Sequence, residues 1–324
     1  MQTTNILEVT DLRTYYKTPR GPLKAVDGVS FSLRKGEILG LVGESGCGKT
    51  TLALSIVRLL PPGAQIQSGK ITLHNQDILG LNEEKMKHIR WKNMSIIFQG
   101  ALNSLNPVLP VKEQIAEAIA AHEKTSPRNV AERISSLFTA VGLEPGRQEN
   151  YPHEFSGGMK QRVMIAMALA CNPDLVIADE PTTALDVIVQ YQILELIRNL
   201  RDKLQISMIL ITHDLSVIAE LCDVVAIMYA GKIVEFGNIF EIFERPKHPY
   251  TRALLKSIPK MEGSRDRLLY ISGSVPDLTR PTPACRFYDR CSYAQMICSE
   301  VEPKLEQVAE NVSVACHFWR QINE

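Results

Sequence analysis

The segment Gly43-Glu44-Ser45-Gly46-Cys47-Gly48-Lys49-Thr50 constrains the fold more than any other stretch of the chain. It matches the phosphate-binding pattern G-x-x-x-x-G-K-[ST], which carries meaning only between a strand and a helix. Both flanks are present. Glu37-Ile38-Leu39-Gly40-Leu41-Val42 reads as a buried strand, and Thr51 to Leu60 has the apolar spacing of a helix. The glycines let backbone N–H groups curl around phosphate oxygens, and the helix N-terminus adds a field favourable to an anion. Lys49 can reach the β- and γ-phosphates, and the Thr50 hydroxyl can ligate Mg²⁺. A chance glycine turn would lack the strand before and the helix after.

Length allows one large α/β domain and a smaller one in 324 residues. An apolar content of 45% and a formal net charge of zero describe an ordinary soluble globular protein. Balanced charge argues against non-specific nucleic-acid binding, which draws on a basic excess. The chain has no apolar run near the ~18 residues of a membrane span. The polar start, Met1 to Asn5, predicts no signal peptide. A cytoplasmic protein is expected, so its seven cysteines read first as thiols or metal ligands.

Ile6 to Val9 and Val29 to Leu33 read as short strands around a polar excursion from Tyr16 to Pro22. Tyr15 or Tyr16 can stack on an adenine ring, and strand alternation lets only one face it; a surface tyrosine is the plain alternative. After the breaker Pro61-Pro62-Gly63, Gly69 to His74 reads as a strand, and a second runs from Trp91 to Phe98 and is closed by Gln99. Gln99 is a polar strand terminus or a contact for the metal ion and the attacking water. Residues 101 to about 170 turn helical, with periodicity in Val111–Ala121, Asn129–Val141 and Met159–Ala170, which reads as an insertion between two parts of a sheet. Ser156-Gly157-Gly158 opens the last of these helices, as an N-cap or as a second anion site.

Leu175 to Ala178 then delivers Asp179 and Glu180 at a strand's carboxyl edge, where open α/β sheets place ligand chemistry. Asp179 suits Mg²⁺, and Glu180 suits the attacking water. Asp186 precedes an amphipathic helix, Val187 to Leu204. The strand Ile206–Thr212 delivers His213, and Asp223–Tyr229 with Gly231–Phe236 reads as a closing hairpin. Cys47 is a variable loop position, Cys171 ends a helix and Cys222 begins a strand. Beyond Pro259 periodicity fades, and Cys285, Cys291, Cys298 and Cys316 form C-x₅-C-x₆-C-x₁₇-C. Four thiolates suit Zn²⁺ or an iron–sulfur cluster; the intervals exceed the close pairs of most zinc sites.

In this order, the motifs resemble the nucleotide-binding subunit of an ATP-binding-cassette transporter, over residues from about 6 to 258. Gly43 to Thr50 corresponds to the Walker A loop, with Ser45, Gly46, Cys47, Gly48, Lys49, Thr50 and the adjoining Thr51 at the nucleotide. Gln99 corresponds to the Q-loop, Ser156-Gly157-Gly158 to the signature, Asp179 to the end of Walker B, and Glu180 to the catalytic glutamate. Asp186 corresponds to the D-loop, His213 to the switch histidine, and Tyr16 to the adenine-stacking aromatic. Phe155 and Met159 depart from the commonest signature, Leu-Ser-Gly-Gly-Gln, outside its phosphate contacts.

Phe155 to Arg162, Asn103-Ser104-Leu105-Asn106-Pro107 and His248-Pro249-Tyr250-Thr251 further resemble the dipeptide/oligopeptide importer branch, which also contains nickel and sugar importers. The resemblance implies a RecA-like P-loop NTPase fold with an antiparallel β subdomain and a helical insertion. It divides the chain into an ATPase domain, 1–258, and a cysteine-rich C-terminal domain, 259–324. ATP and Mg²⁺ are the implied ligands. The four C-terminal cysteines would hold a [4Fe–4S] cluster, or Zn²⁺ with His317 as a substitute ligand. Implied partners are a second cassette ATPase, two membrane permeases and an extracytoplasmic binding protein, with this chain on the cytoplasmic face of the membrane. A soluble cassette ATPase acting on nucleic acid is the rival reading. The absence of tandem cassettes, long heptads and basic excess disfavours it.

Overall fold

A computed structural model of the chain describes residues 4–100, 104–257, 271–280 and 283–323. The proposed division at 258/259 and the motif residue Asn103 lie outside the described residues. Two compact units are present. One gathers Leu33–Ile38 and His74–Ile211; the other gathers Leu7–Ser32, Leu39–Leu73 and the chain from Thr212 onward.

In the first unit the strands Met94–Ile97, Leu175–Asp179 and Ser207–Ile211 run parallel. Met94 pairs with Leu175, and Asp179 with Ile211. The last two strands are buried at every position, so they read as unbroken apolar runs rather than alternating ones. The expected insertion forms helices Val111–His122, Pro127–Ala140 and Gly157–Ala168, around Ile115, Ile119, Phe138 and Val163. Ser126 caps the second of these and Pro127 occupies its first turn, which stops it from starting at Asn129. The helix Val187–Leu204 has the bounds its periodicity predicts and buries Ile193, Leu194, Ile197 and Leu200.

Gly158 sits where that helix comes close to the signature helix. A Cβ there would stand 2.5 Å from Cγ1 of Val189. Gly158→Ala is expected to destabilise the chain by about 1–3 kcal/mol through overpacking. Thermal denaturation checks this, and Val189→Ala in the same chain should recover most of the loss.

In the second unit the first two strands are longer than expected. They span Asn5–Thr18 and Gly21–Arg34, and the antiparallel strand Ala64–Leu73 pairs with the first. Most of the polar excursion is strand, with Pro19-Arg20 as the turn between the two, because pairing tolerates polar side chains on the outer face. Ile38–Val42 runs parallel to Val224–Tyr229, which turns back into Lys232–Asn238. Cys222 caps the helix Leu215–Leu221 rather than beginning that strand, and Cys171 lies beyond the end of its helix.

The C-terminal segment is not the coreless appendage that its fading periodicity suggests. Its strand Val312–Val314 pairs with Lys232–Asn238 and is itself paired by Glu306–Ala309. Phe287 is buried against Tyr229, Tyr250 and His248, with ring centroids 5.2, 5.4 and 5.9 Å away. Among the described residues, no helix is long and apolar enough to cross a membrane.

Candidate functional site

The phosphate loop joins the fully buried strand Ile38–Val42 to the helix Lys49–Val57. Two of its glycines are required by space. A Cβ on Gly43 would stand 2.0 Å from the Met228 carbonyl oxygen, and one on Gly48 would stand 2.0 Å from that of Ala25. Gly48 also has φ 107°, a region open chiefly to glycine. Lys49 is buried and folds over its own loop, donating to the carbonyls of Gly43 at 2.7 Å and Glu44 at 3.1 Å. Cys47 is buried, and its carbonyl accepts from Gly231 N–H at 2.8 Å. Ser45, Gly46 and Thr50 are exposed and free to meet a ligand, whereas Thr51 is buried.

The structure separates the two tyrosines. The Tyr15 hydroxyl donates to Asp27 at 2.6 Å, while the Tyr16 hydroxyl shares a 3.1 Å bond with Thr51 at the start of the phosphate-loop helix. Burial works against the Asp27 carboxylate. The Tyr15 hydroxyl and the cations Lys232, Arg286 and Lys24 outweigh it and hold its pKa below the usual range.

In the first unit, Asp179 ends its strand buried, and Glu180 follows in a left-handed conformation with φ 48°. Such a φ is uncommon outside glycine and tends to persist at functional sites. Glu180 Oε2 accepts from Gln99 Nε2 at 2.8 Å and from Thr183 Oγ1 at 2.9 Å. Gln99 does not close a strand. Its strand stops at Ile97, and Gln99 lies in the exposed turn beyond, where it reaches Glu180. Ser156 caps the signature helix by accepting from Met159 N–H at 3.4 Å, and Ser156 and Gly157 are exposed. Asp186 caps the helix behind it, accepting from Val189 N–H at 3.0 Å. In the second unit, His213 is exposed just past the strand Ser207–Ile211.

Cys285, Cys291, Cys298 and Cys316 converge on one cavity of about 20 Å³, shared with His248 and His317. Burial pushes the Cys285 thiol up to about 11 and the Cys316 thiol up to about 12, and raises Cys291 as well. Without a cation these three are therefore protonated at neutral pH. The expected ligand set is not in place. Among the described residues, no three His, Cys, Asp or Glu side chains are arranged to hold a metal ion. The cavity has room for about one water-sized body. The donor chemistry, four cysteines lining one cavity, is of the kind a thiophilic metal takes. His317 is engaged elsewhere, its Nε2 lying 3.0 Å from the Val301 carbonyl. His248 is fully buried and neutral, as burial lowers its pKa to about 3; its Nδ1 accepts from Tyr250 N–H.

Comparison with known proteins supplies what geometry alone does not. The chain is 46% identical over 319 residues to the dipeptide transport ATP-binding protein DppD of Bacillus subtilis, covering 98% of this chain and 95% of that one. The chain belongs to the ABC transporter ATP-binding family. The ABC transporter family model matches residues 26–183, and that of the oligopeptide/dipeptide transporter C-terminal region matches 234–298. The oligopeptide transport ATP-binding protein OppD of Escherichia coli is 44% identical, over 96% of this chain and 92% of its own. Among solved structures, the dimeric ATP-binding cassette MJ0796 bound to ADP and Pi superimposes with a TM-score of 0.64 at 26% identity, over 72% of this chain and 98% of that one. The matched span 26–183 contains both the phosphate loop and the Glu180 turn. The C-terminal-region match takes in the first part of the segment that reads in sequence as an appendage, as far as Cys298.

Sequence reasoning missed the partners of Glu44, a position the phosphate-loop pattern leaves open. Its N–H donates to the Tyr250 hydroxyl at 3.0 Å, and its carboxylate receives both guanidinium nitrogens of Arg290, each at 2.8 Å. The His248-Pro249-Tyr250-Thr251 motif was the available signal for the first contact. Nothing local points to the second.

Proposed function

We infer that the chain is the ATP-hydrolysing subunit that powers import of dipeptides or oligopeptides through a membrane permease. The observation that carries this reading is near-full-length similarity, at 46% and 44% identity, to transport ATP-binding proteins named for those substrates. The residues fit the chemistry. The phosphate loop and Lys49 bind the β- and γ-phosphates, and Tyr16 stacks on the base. Thr50, Gln99 and Asp179 are each suited by chemistry to Mg²⁺, whose charge would offset that of the phosphates. Glu180 accepts the proton of the attacking water, and His213 senses the γ-phosphate.

Ser156, Gly157 and Gly158 grip the nucleotide of a second ATPase subunit. Val187, Ile188 and Tyr191 support such a partner: 79%, 72% and 57% exposed, they form an apolar patch directly after Asp186. Val108, 74% exposed in the segment after Gln99, suits contact with a permease. Two permeases and an extracytoplasmic binding protein complete the assembly, with this chain on the cytoplasmic face. Purification of the full assembly in detergent tests this reading. Peptide-stimulated ATP hydrolysis is the expected result. Recovery of the chain with nucleic acid and no permease would overturn it.

Cys285, Cys291, Cys298 and Cys316 would hold a [4Fe–4S] cluster, with zinc as the second reading, in a small C-terminal domain; the ~20 Å³ cavity accepts the cluster only if the sulfurs move outward. A metal bound there would cross-link short segments of this region, in addition to the packing of Phe287. Anaerobic purification followed by metal and sulfide analysis is expected to give iron and acid-labile sulfide. Cys298→Ser should abolish both, and zinc without sulfide would select the alternative.

A further inference from the structure

The cysteine-rich segment places an arginine beside each of its first two cysteines. Arg286 follows Cys285, and Arg290 precedes Cys291 in the short 3₁₀ turn Tyr288–Arg290. Backbone bonds tie this turn to the cysteines. Tyr288 N–H donates to the Cys285 carbonyl at 3.0 Å, and Cys291 N–H to that of Tyr288 at 3.2 Å. Neither side chain lines the cavity. Arg286 donates to Asp27, the carboxylate that also holds Tyr15, and to the Ala230 carbonyl. Arg290 makes the bidentate pair with Glu44, inside the phosphate loop.

Arg290 is held firmly enough to act as a strut. Its side chain is only 5% exposed. It also donates to the carbonyls of Ser272 and Ile271, at 2.9 and 3.0 Å, and to the Tyr229 hydroxyl at 3.2 Å. Its guanidinium lies over the rings of Tyr229 and Phe287, 5.6 and 6.0 Å from their centroids. Glu44 is thereby fixed at both its backbone, through Tyr250, and its carboxylate. Its carbonyl is one of the two that Lys49 Nζ contacts. The path from Cys291 to Lys49 runs through Arg290 and Glu44, with direct contact at each step. A planar two-bond pair transmits orientation as well as charge, which a lysine in the same place could not do.

We propose that Arg290 is a positioning residue that sets the phosphate loop from the cysteine-rich segment, so that nucleotide affinity depends on the state of the four cysteines. The inference rests on the proposed ATP-binding role. Loss of the strut leaves the loop's sequence and ligand groups intact. It frees Glu44 and so adds an ordering cost to each binding event.

The test is the Kd of a fluorescent ATP analogue with Mg²⁺ on the anaerobically purified full chain. Arg290→Ala is expected to weaken binding by about 3- to 10-fold. Glu44→Ala should do the same, and the double variant should be no worse than either alone, because all three remove one linkage. Arg290→Lys should recover only part of the loss. Cys291→Ser should shift affinity in the same direction, with circular dichroism confirming the fold of each variant. Unchanged affinity in Arg290→Ala, or fully additive losses in the double variant, would overturn the proposal. Unchanged affinity in folded Cys291→Ser would overturn the dependence on the cysteines. Failure of the unaltered chain to bind the analogue would instead overturn the ATPase reading on which the inference rests.

Discussion

Glu180→Gln is expected to lower steady-state ATP hydrolysis by about 10²- to 10⁴-fold while leaving ATP binding intact. The substitution removes a proton acceptor and can keep the hydrogen bonds from Gln99 and Thr183. Gln99 and Thr183 both donate to Oε2 of Glu180, at 2.8 and 2.9 Å, and the amide oxygen of glutamine can accept both bonds. The left-handed backbone at Glu180, φ 48°, is as accessible to glutamine as to glutamate. What changes is basicity: a neutral amide takes no proton from the attacking water. With binding retained and turnover lost, the ATP-bound pair of subunits should accumulate. Single-turnover hydrolysis and size-exclusion chromatography with ATP would show this as a slow phase and a dimer peak. Hydrolysis at the wild-type rate would place the base elsewhere.

Lys49→Ala is expected to act at the earlier step. It should weaken ATP binding by about 10- to 100-fold, the equivalent of one hydrogen-bonded charge worth ~1.5–3 kcal/mol. Lys49 is buried, and its ammonium already lies against the carbonyls of Gly43 and Glu44, at the centre of the loop the phosphates would enter. Alanine removes that charge and leaves two carbonyl dipoles facing the incoming anion. Titration with a fluorescent ATP analogue measures the loss directly, and hydrolysis at saturating ATP separates it from any effect on the chemical step. The two variants should therefore divide cleanly: Lys49→Ala through affinity, Glu180→Gln through turnover. A Lys49→Ala chain with unchanged affinity would mean that the backbone N–H groups alone carry the phosphates.

Much of this was legible in the chain itself. The phosphate loop, the helix Val187–Leu204 and the apolar strands before Glu180 and His213 are local patterns. Their signals are spacing, capping and runs of buried residues, and each is complete within about twenty residues. Family resemblance carried the roles of Gln99, Ser156 and Asp186, whose local readings are only a polar strand end and two helix caps.

Tertiary structure decided the rest, because the deciding contacts join residues far apart in the chain. Which tyrosine adjoins the phosphate-loop helix depends on where Asp27 and Thr51 stand, and strand alternation cannot tell. Gly158 reads as a phosphate contact, yet its lack of a side chain is also demanded by Val189 on another helix. The C-terminal segment has too little periodicity to announce strands, and its hairpin forms only because Lys232–Asn238 offers an edge to pair with. Within Gly43–Thr50, the sequence by itself determined a loop able to bind phosphate, since glycine spacing and flanking pattern suffice for that. That Glu44, its second residue, is held by Arg290, 246 residues away, was decided only by the fold, because a salt bridge between distant residues leaves no trace in local pattern.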